Sequence, residues 1–343
     1  MTGSAHIVRG DALELPLADD SVDLVVTSPP YFGLRSYQDA GEHYAGQIGD
    51  EDSPHAFVDN LVTATSEMAR VLKPGGSIFV NLGDKYSGAQ QQSSGRQAGT
   101  SSADYWRRTD PKRTGIPNKS LMGIPWRYAI RCIDDLGLIL RAEIIWSKPN
   151  GMPESCTDRV RRSHEQWFHF TKQPRYFAAV DEIREPASDY ARSAARTRDD
   201  ACIPPGNRVR KIRDTVNPLG KLPPSVWEIP TQPLKAPADL GIDHFAAFPV
   251  EWPLRLILGW SPPAGVVLDP FGGTGTTALA AKVLGRTAIS VDMSADYCRL
   301  AEWRVNDPGQ IEATRERARR HGHATQLTDT DDLGLLGLLE VPA

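Results

Sequence analysis

The chain has 343 residues and a formal net charge of -4, long enough for one large α/β domain with a sizeable insertion or for two domains. No apolar run approaches the ~20 residues of a membrane span, and the first residues lack the basic-then-apolar layout of a signal peptide, so no membrane association is expected. The four cysteines (Cys132, Cys156, Cys202 and Cys298) stand far apart with no Cys-x-x-Cys pair, which argues against a zinc site and suits a reducing cytoplasm.

A short strand over 6–9 ends in Gly10-Asp11-Ala12. A second, Val22-Asp23-Leu24-Val25-Val26, reads as a buried parallel strand and runs into Thr27-Ser28-Pro29-Pro30-Tyr31. Ser53-Pro54 caps a helix with proline in its first turn, and Phe57, Leu61, Met68 and Leu72 follow at helical spacing. Lys73-Pro74-Gly75-Gly76 stops that helix, and 77–82 is the next buried strand. Residues 84–120 turn Gln-, Ser- and Gly-rich, and from Lys85 to Arg131 nine Lys/Arg face two aspartates. With few apolar residues to pack it, 84–120 is expected to be a mobile basic surface loop.

A helix over 125–136 and strands over 138–146 and 164–171 come next. The stretch 178–240, broken by Pro and Gly, reads as an insertion outside the sheet. Within it, 192–221 carries eight Lys/Arg against three aspartates. Clustered positive charge on an acidic chain is the footprint of phosphate contacts. From Phe245 the pattern resumes with a helix over 250–259, strand 265–269, helix 276–284, strand 287–292 and helix 294–305. A charged helix over 312–320 and a poorly ordered acidic tail are expected at the end.

Strands alternating with helices predict a doubly wound, mostly parallel α/β sheet whose ligands lie at the carboxyl ends of the strands. Gly10-Asp11, Ser28 to Tyr31, Asp269 to Gly275 and Asp292 all fall at such ends, so one cleft can hold them. The loop Asp269-Pro270-Phe271-Gly272-Gly273-Thr274-Gly275-Thr276-Thr277 follows Val266-Val267-Leu268. It lacks the lysine of a phosphate-binding P-loop and the third glycine of a dinucleotide fingerprint. Gly273 and Gly275 are expected to let the backbone approach a ligand, with the helix near Thr276 aiming amides at it.

In these two segments the chain resembles the amino-methylating DNA methyltransferases, which methylate cytosine N4 or adenine N6. Asn81-Leu82-Gly83-Asp84, Gly123 to Arg127, Ile145 to Asn150 and His164-Glu165 through Lys172 extend the likeness, which covers roughly residues 6–305. Ser-Pro-Pro-Tyr stands about 240 residues before the glycine loop, the order of the circularly permuted β group. The resemblance implies a Rossmann-like, S-adenosylmethionine-dependent methyltransferase fold. Residues 1–177 would form the catalytic part, 178–240 a target-recognition insertion, 241–305 the cofactor-binding part and 306–343 a C-terminal helix and tail.

The resemblance also implies roles. Pro270, Phe271, Gly273, Thr274, Gly275 and Thr276 would bind S-adenosylmethionine, and Asp269 would either offset its positive amino-acid end or hold the loop. Asp292 would accept from the ribose hydroxyls or else cap the helix starting at Ala295. Asp11, with Ala12, would read the adenine amino group, and Phe248 would close over the methionine end or belong to the core. An exocyclic base amine is a poor nucleophile because its lone pair is delocalised into the ring. Ser28 Oγ and the Pro29 carbonyl can accept its two N–H bonds and free that lone pair, with Pro29 and Pro30 fixing the backbone. Tyr31 can stack on the base, which must first be flipped out of the duplex.

The Ser-first motif is typical of cytosine-N4 enzymes and points to N4 of cytosine, with adenine N6 as the alternative. An RNA methyltransferase or a catalytically silent DNA-binding module are the rivals from other classes. Double-stranded DNA is the expected partner, with Arg208, Arg210, Lys211 and Arg213 as candidate contacts. A cognate restriction endonuclease and a homodimer stay open.

Overall fold

The computed structural model describes residues 3–33, 38, 39, 42, 43, 46–88, 110–186, 217, 219–234, 236, 237, 240, 242 and 247–320. The N-terminal half supplies strands β1 (Ser4–Arg9), β2 (Val22–Thr27), β3 (Gln38–Asp39), β4 (Glu42–His43) and β5 (Leu72–Leu82), with helix α1 (Pro54–Val71) before β5. Helices α2 (Pro111–Thr114) and α3 (Ile124–Asp134) lead to strands β6 (Ile139–Ser147) and β7 (His164–Thr171), and β8 (Val226–Glu228) follows later. The last stretch comprises α4 (Glu251–Trp260), β9 (Val266–Asp269), α5 (Thr276–Val283), β10 (Thr287–Asp292), α6 (Ala295–Asn306) and α7 (Pro308–Arg320).

One sheet runs in the order β1-β10-β9-β2-β5-β7-β6-β8. Its β1, β10, β9, β2 and β5 pair in parallel, while β7 runs antiparallel to both β5 and β6. A mostly parallel sheet needs both faces covered, and β2 serves both, with an irregularity between Val22 and Leu24 that interrupts the strict alternation. Val22 and Val25 face a core with α1 and α3, whereas Leu24 and Val26 face one with α4 and α5. Helix α1 forms as its sequence predicts. Ser53 accepts from the Ala56 amide, Pro54 sits in the first turn, and Phe57, Leu61 and Met68 are buried. Each such side chain contributes roughly 1.5–3 kcal/mol.

Four expectations need correction. Strand β5 begins at Leu72 rather than at Ser77, because Leu72 pairs with Val22 and the ladder resumes at Leu24 and Ser77 across a register shift. Gly76 permits this: a Cβ there would lie 2.6 Å from Leu72 Cδ1 and 2.8 Å from the Asp23 carbonyl. The basic loop expected over 84–120 is packed at both described flanks. Ser87 donates its amide to the Ser120 carbonyl (2.8 Å), Met122 donates to Lys85 (2.9 Å), and the side chains of Ile116 and Met122 are buried. Residues 89–109 lie outside the described set.

The stretch 178–240 does not stand wholly outside the sheet. β8 pairs in parallel with β6, Ile145 opposite Val226, and Ile183, Trp227 and Ile229 are buried in the α4 core. Trp146 Nε1 donates to the Ile229 carbonyl at 2.6 Å. These apolar side chains draw both ends of the stretch into the domain. At the C terminus, α7 starts at Pro308, four residues before the expected helix, because Asp307 accepts from the Gln310 amide; the expected tail, 321–343, lies outside the described residues. Among the described residues no helix is long and apolar enough to cross a membrane.

Candidate active site

Strands β9 and β2 are neighbours at the centre of the sheet, and from there the strand order runs outward in both directions. Ligands of doubly wound sheets bind at the carboxyl ends beside such a switch. Side chains join the two motifs here. Asp269 accepts from Thr27 Oγ1 (2.7 Å), Thr277 Oγ1 (2.7 Å) and the Phe271 amide (3.2 Å). At 2 % exposure it sits behind the loop rather than lining the cleft. Of its two expected roles, the geometry matches loop-holding.

Burial pushes the Asp269 carboxyl from 3.8 up to about 6. The folded chain therefore holds this proton more tightly than the unfolded one. Its contribution favours folding increasingly as pH falls through 6 and levels off below 3.8. Asp269→Asn is expected to flatten the pH dependence of the thermal midpoint between about pH 4 and 6. A profile matching wild type across that window would show that this carboxyl titrates normally.

The glycine loop is shaped by close contacts on both sides. A Cβ on Gly272 would lie 1.9 Å from Ser290 Oγ, so only glycine fits against β10. Gly273, at φ +48°, lines the cleft and donates its amide to Asp292 Oδ2 at 2.8 Å. Gly275 departs from expectation. It lies at φ +71°, and a Cβ there would meet Ala301 Cβ at 2.9 Å, so this glycine serves the packing of α5 against α6 rather than a ligand's approach. Arg304 reaches from α6 to the same loop, donating to Thr274 Oγ1 (2.7 Å) and Thr276 Oγ1 (2.8 Å). Burial lowers its guanidinium to about 10.

The cleft is lined by Asp11, Ala12, Ser28, Pro30, Phe248, Pro270, Phe271, Gly273, Thr274, Thr276 and Asp292. It thus gathers most of the predicted residues, while Pro29, Tyr31, Asp269 and Gly275 fall outside its lining. Asp292 does not cap α6; Ser294 does, accepting from the Tyr297 amide at 3.2 Å. Asp292 Oδ1 instead takes the Ser294 amide (2.9 Å). Asp11 Oδ1 takes the Leu13 amide (2.9 Å) and so stiffens its own turn. Phe248 lines the cleft and also packs edge-on against Trp167, at 5.7 Å between centroids, so it belongs to both wall and core. Gln47 and Ile48 add a wall that sequence reading missed. No group of three or more His, Cys, Asp or Glu able to hold a metal occurs among the described residues.

Ser28 opens onto the cleft, and its hydroxyl donates to Asn81 Oδ1 at 3.3 Å. The Asn81 amide cannot turn over, because its Nδ2 donates to the Gln166 carbonyl at 3.1 Å. With its hydrogen directed at Asn81, Ser28 Oγ presents lone pairs as an acceptor. The Tyr31 hydroxyl lies 2.8 Å from both Asn81 Oδ1 and Glu165 Oε2 and shares its single hydrogen between these two acceptors. Its ring lies against Gly83, where a Cβ would approach Cε2 to 2.7 Å. Glu165 pairs in turn with Lys148, whose ammonium sits 4.1 Å from the Trp146 ring centroid. Tyr31 is thus built into a network beside the cleft.

Asn81, Lys148 and Glu165 stand in segments that carry the family resemblance, yet nothing in their local pattern signals this convergence. Arg304 has a local signal, an arginine on the buried stripe of α6 beside Leu300 and Ala301. The candidate DNA contacts Arg208, Arg210, Lys211 and Arg213 lie outside the described residues.

Comparison with known proteins adds relatives to this geometry. A family model described as DNA methylase matches residues 22–303. Type II methyltransferase M.SmaI of Serratia marcescens is 35% identical over 316 residues, covering 88% of this chain and 91% of its own. Type II methyltransferase M.XycI of Xanthomonas campestris pv. cyanopsidis is 36% identical over 302 residues, covering 87% of each. Among solved structures, the PvuII DNA methyltransferase (cytosine-N4-specific) shares the fold at a TM-score of 0.60 and 22% identity over 94% of both chains. A putative DNA modification methylase of Thermus thermophilus, complexed with S-adenosyl-L-methionine, reaches 0.50 at 26% identity, covering 92% of this chain and 94% of its own.

Proposed function

Because the chain belongs to the DNA methylase family, whose model spans residues 22–303, we propose that it transfers a methyl group from S-adenosylmethionine to N4 of cytosine within a specific duplex DNA sequence. The observation that carries this reading is Ser28, held as a hydrogen-bond acceptor by Asn81 at the rim of a cleft walled by the glycine loop. The cleft suits the cofactor. Its walls include Phe248 and Phe271, and two carboxylates, Asp11 and Asp292, stand at strand ends, an apolar lining with a few placed polar groups. Asp292 would take the ribose hydroxyls and Asp11 the adenine amino group, while Gly273 lets the backbone close on the ligand. When bound, the cofactor supplies an electrophilic methyl on a sulfonium.

The protein's own part is positioning. Ser28 Oγ accepts one N–H of the target amine and the Pro29 carbonyl the other, drawing the nitrogen towards tetrahedral geometry and freeing its lone pair for in-line attack. The site lies within the protein at the strand ends, so the base must leave the duplex to reach it. Serine at the head of the motif favours cytosine N4. The order of the two motifs supports the circularly permuted group, and the Type II relatives support a place in a restriction–modification pair. Arg208, Arg210, Lys211 and Arg213 remain the proposed DNA contacts of 178–240.

The direct test offers labelled cofactor to DNA, RNA and protein in parallel, followed by nucleoside analysis of the product. N4-methylcytosine in DNA is expected; N6-methyladenine would overturn the base assignment, and label confined to RNA or protein would overturn the reading. A second expectation isolates Asn81. Asn81→Ala should slow transfer about tenfold, the worth of one well-placed hydrogen bond. In a Ser28→Ala background the same change should cost little, because Asn81 acts through Ser28. Equal losses in both backgrounds would show that Asn81 works independently of the serine.

A further inference from the structure

Building on the DNA methyltransferase reading, we propose that the connection between β6 and β7, residues 148–163, is a wedge that enters duplex DNA beside the target base, with Met152 and Val160 filling the gap left in the stack. These two side chains are 83% and 87% exposed, more than any other large hydrophobic side chain among the described residues. Single exposed apolar residues are ordinary. Two on one short connection, held out by a braced backbone, are not explained by packing.

The bracing is extensive. Arg161 Nη1 donates to the Gly151 carbonyl at 3.0 Å, tying one side of the connection to the other. Arg159 bonds Glu154 at 2.7 Å and lies 3.8 Å from the Tyr86 ring centroid. Asn150 exchanges two hydrogen bonds with the Thr231 backbone, of 3.2 and 2.8 Å. Met152 and Val160 therefore face solvent from a fixed platform.

Position and charge identify the partner. Ser147 pairs with His164 and Leu82 with Gln166, so the connection leaves the sheet at the end where Ser28 lies. Its two roots meet in the Lys148–Glu165 pair, and Glu165 holds Tyr31, which shares Asn81 with Ser28. Lys148, Arg159, Arg161 and Arg162 outnumber Glu154 and Asp158 along it. Apolar side chains that insert between base steps, flanked by cations for the phosphates, are how proteins unstack and bend a duplex. Extracting a base opens such a gap, and an inserted methionine or valine would offset the lost stacking.

The test uses the full chain carrying Met152→Ser and Val160→Ser together, with thermal midpoint and S-adenosylmethionine affinity checked against wild type. Two DNA substrates are compared, a matched duplex and the same duplex with the target base opposite an abasic site, where extraction costs less. On the matched duplex the variant should lose about tenfold or more in rate and most of the fluorescence rise of a 2-aminopurine placed next to the target base. On the abasic duplex it should return to within about threefold of wild type. Wild-type rates on the matched duplex, or equal losses on both substrates as a mere docking surface would give, would overturn the wedge. A wild-type chain that methylates neither DNA would overturn the parent reading and the wedge with it, an outcome distinct from an active wild type with an unaffected variant.

Discussion

Ser28→Ala is expected to slow methyl transfer by on the order of 10²-fold or more, as for other preorganised polar groups, while leaving S-adenosylmethionine affinity unchanged. The hydroxyl removed is the one whose hydrogen Asn81 draws away from the cleft. Alanine leaves one amine hydrogen without an acceptor at the moment the nitrogen must change geometry. The cofactor side is untouched, because Asp292 and Gly273 hold each other at 2.8 Å independently of the serine. Single-turnover transfer of labelled methyl, with calorimetry for the cofactor, separates the two effects. Near-normal turnover would reduce Ser28 to a turn residue.

Gly273→Val is expected to weaken cofactor binding by about 10- to 100-fold, because a β-branched side chain at positive φ strains the backbone by roughly 1–3 kcal/mol. The native φ is +48°, and the amide that must shift is the one bonded to Asp292 at the cleft wall. Gly275→Val makes the informative contrast. Its new side chain would strike Ala301 on α6, 2.9 Å from where Cβ begins, so it should lower the thermal midpoint of the free protein. Calorimetry and melting on the two variants would then give different signatures. Unchanged cofactor affinity in Gly273→Val would remove the glycine loop from the site.

Local chemistry made much of this protein legible in its residues alone. The Ser53 cap, the apolar runs at 22–26 and 266–268 and the alternation of strand with helix depend on neighbours within a few positions. They suffice to place Gly10-Asp11, Ser28 to Tyr31, Asp269 to Gly275 and Asp292 at strand ends, hence around one cleft. The resemblance carried by the two motifs pointed to the same chemistry as the family match.

What sequence could not decide were questions of contact across the sheet. Asp269 and Asp292 look alike at strand ends, yet Thr27, 242 residues away, holds the first behind the loop while the second lines the cleft. Gly273 and Gly275 look alike too, until α6 lies against one of them. Asn81 on β5, Glu165 on β7 and Lys148 just past the end of β6 meet, and β8 joins the edge, through registers that side-chain burial on both faces selects. Periodicity and capping are short-range and can be read from the chain. Which polar group faces a ligand and which braces it is set by long-range packing, and only the assembled sheet decides it.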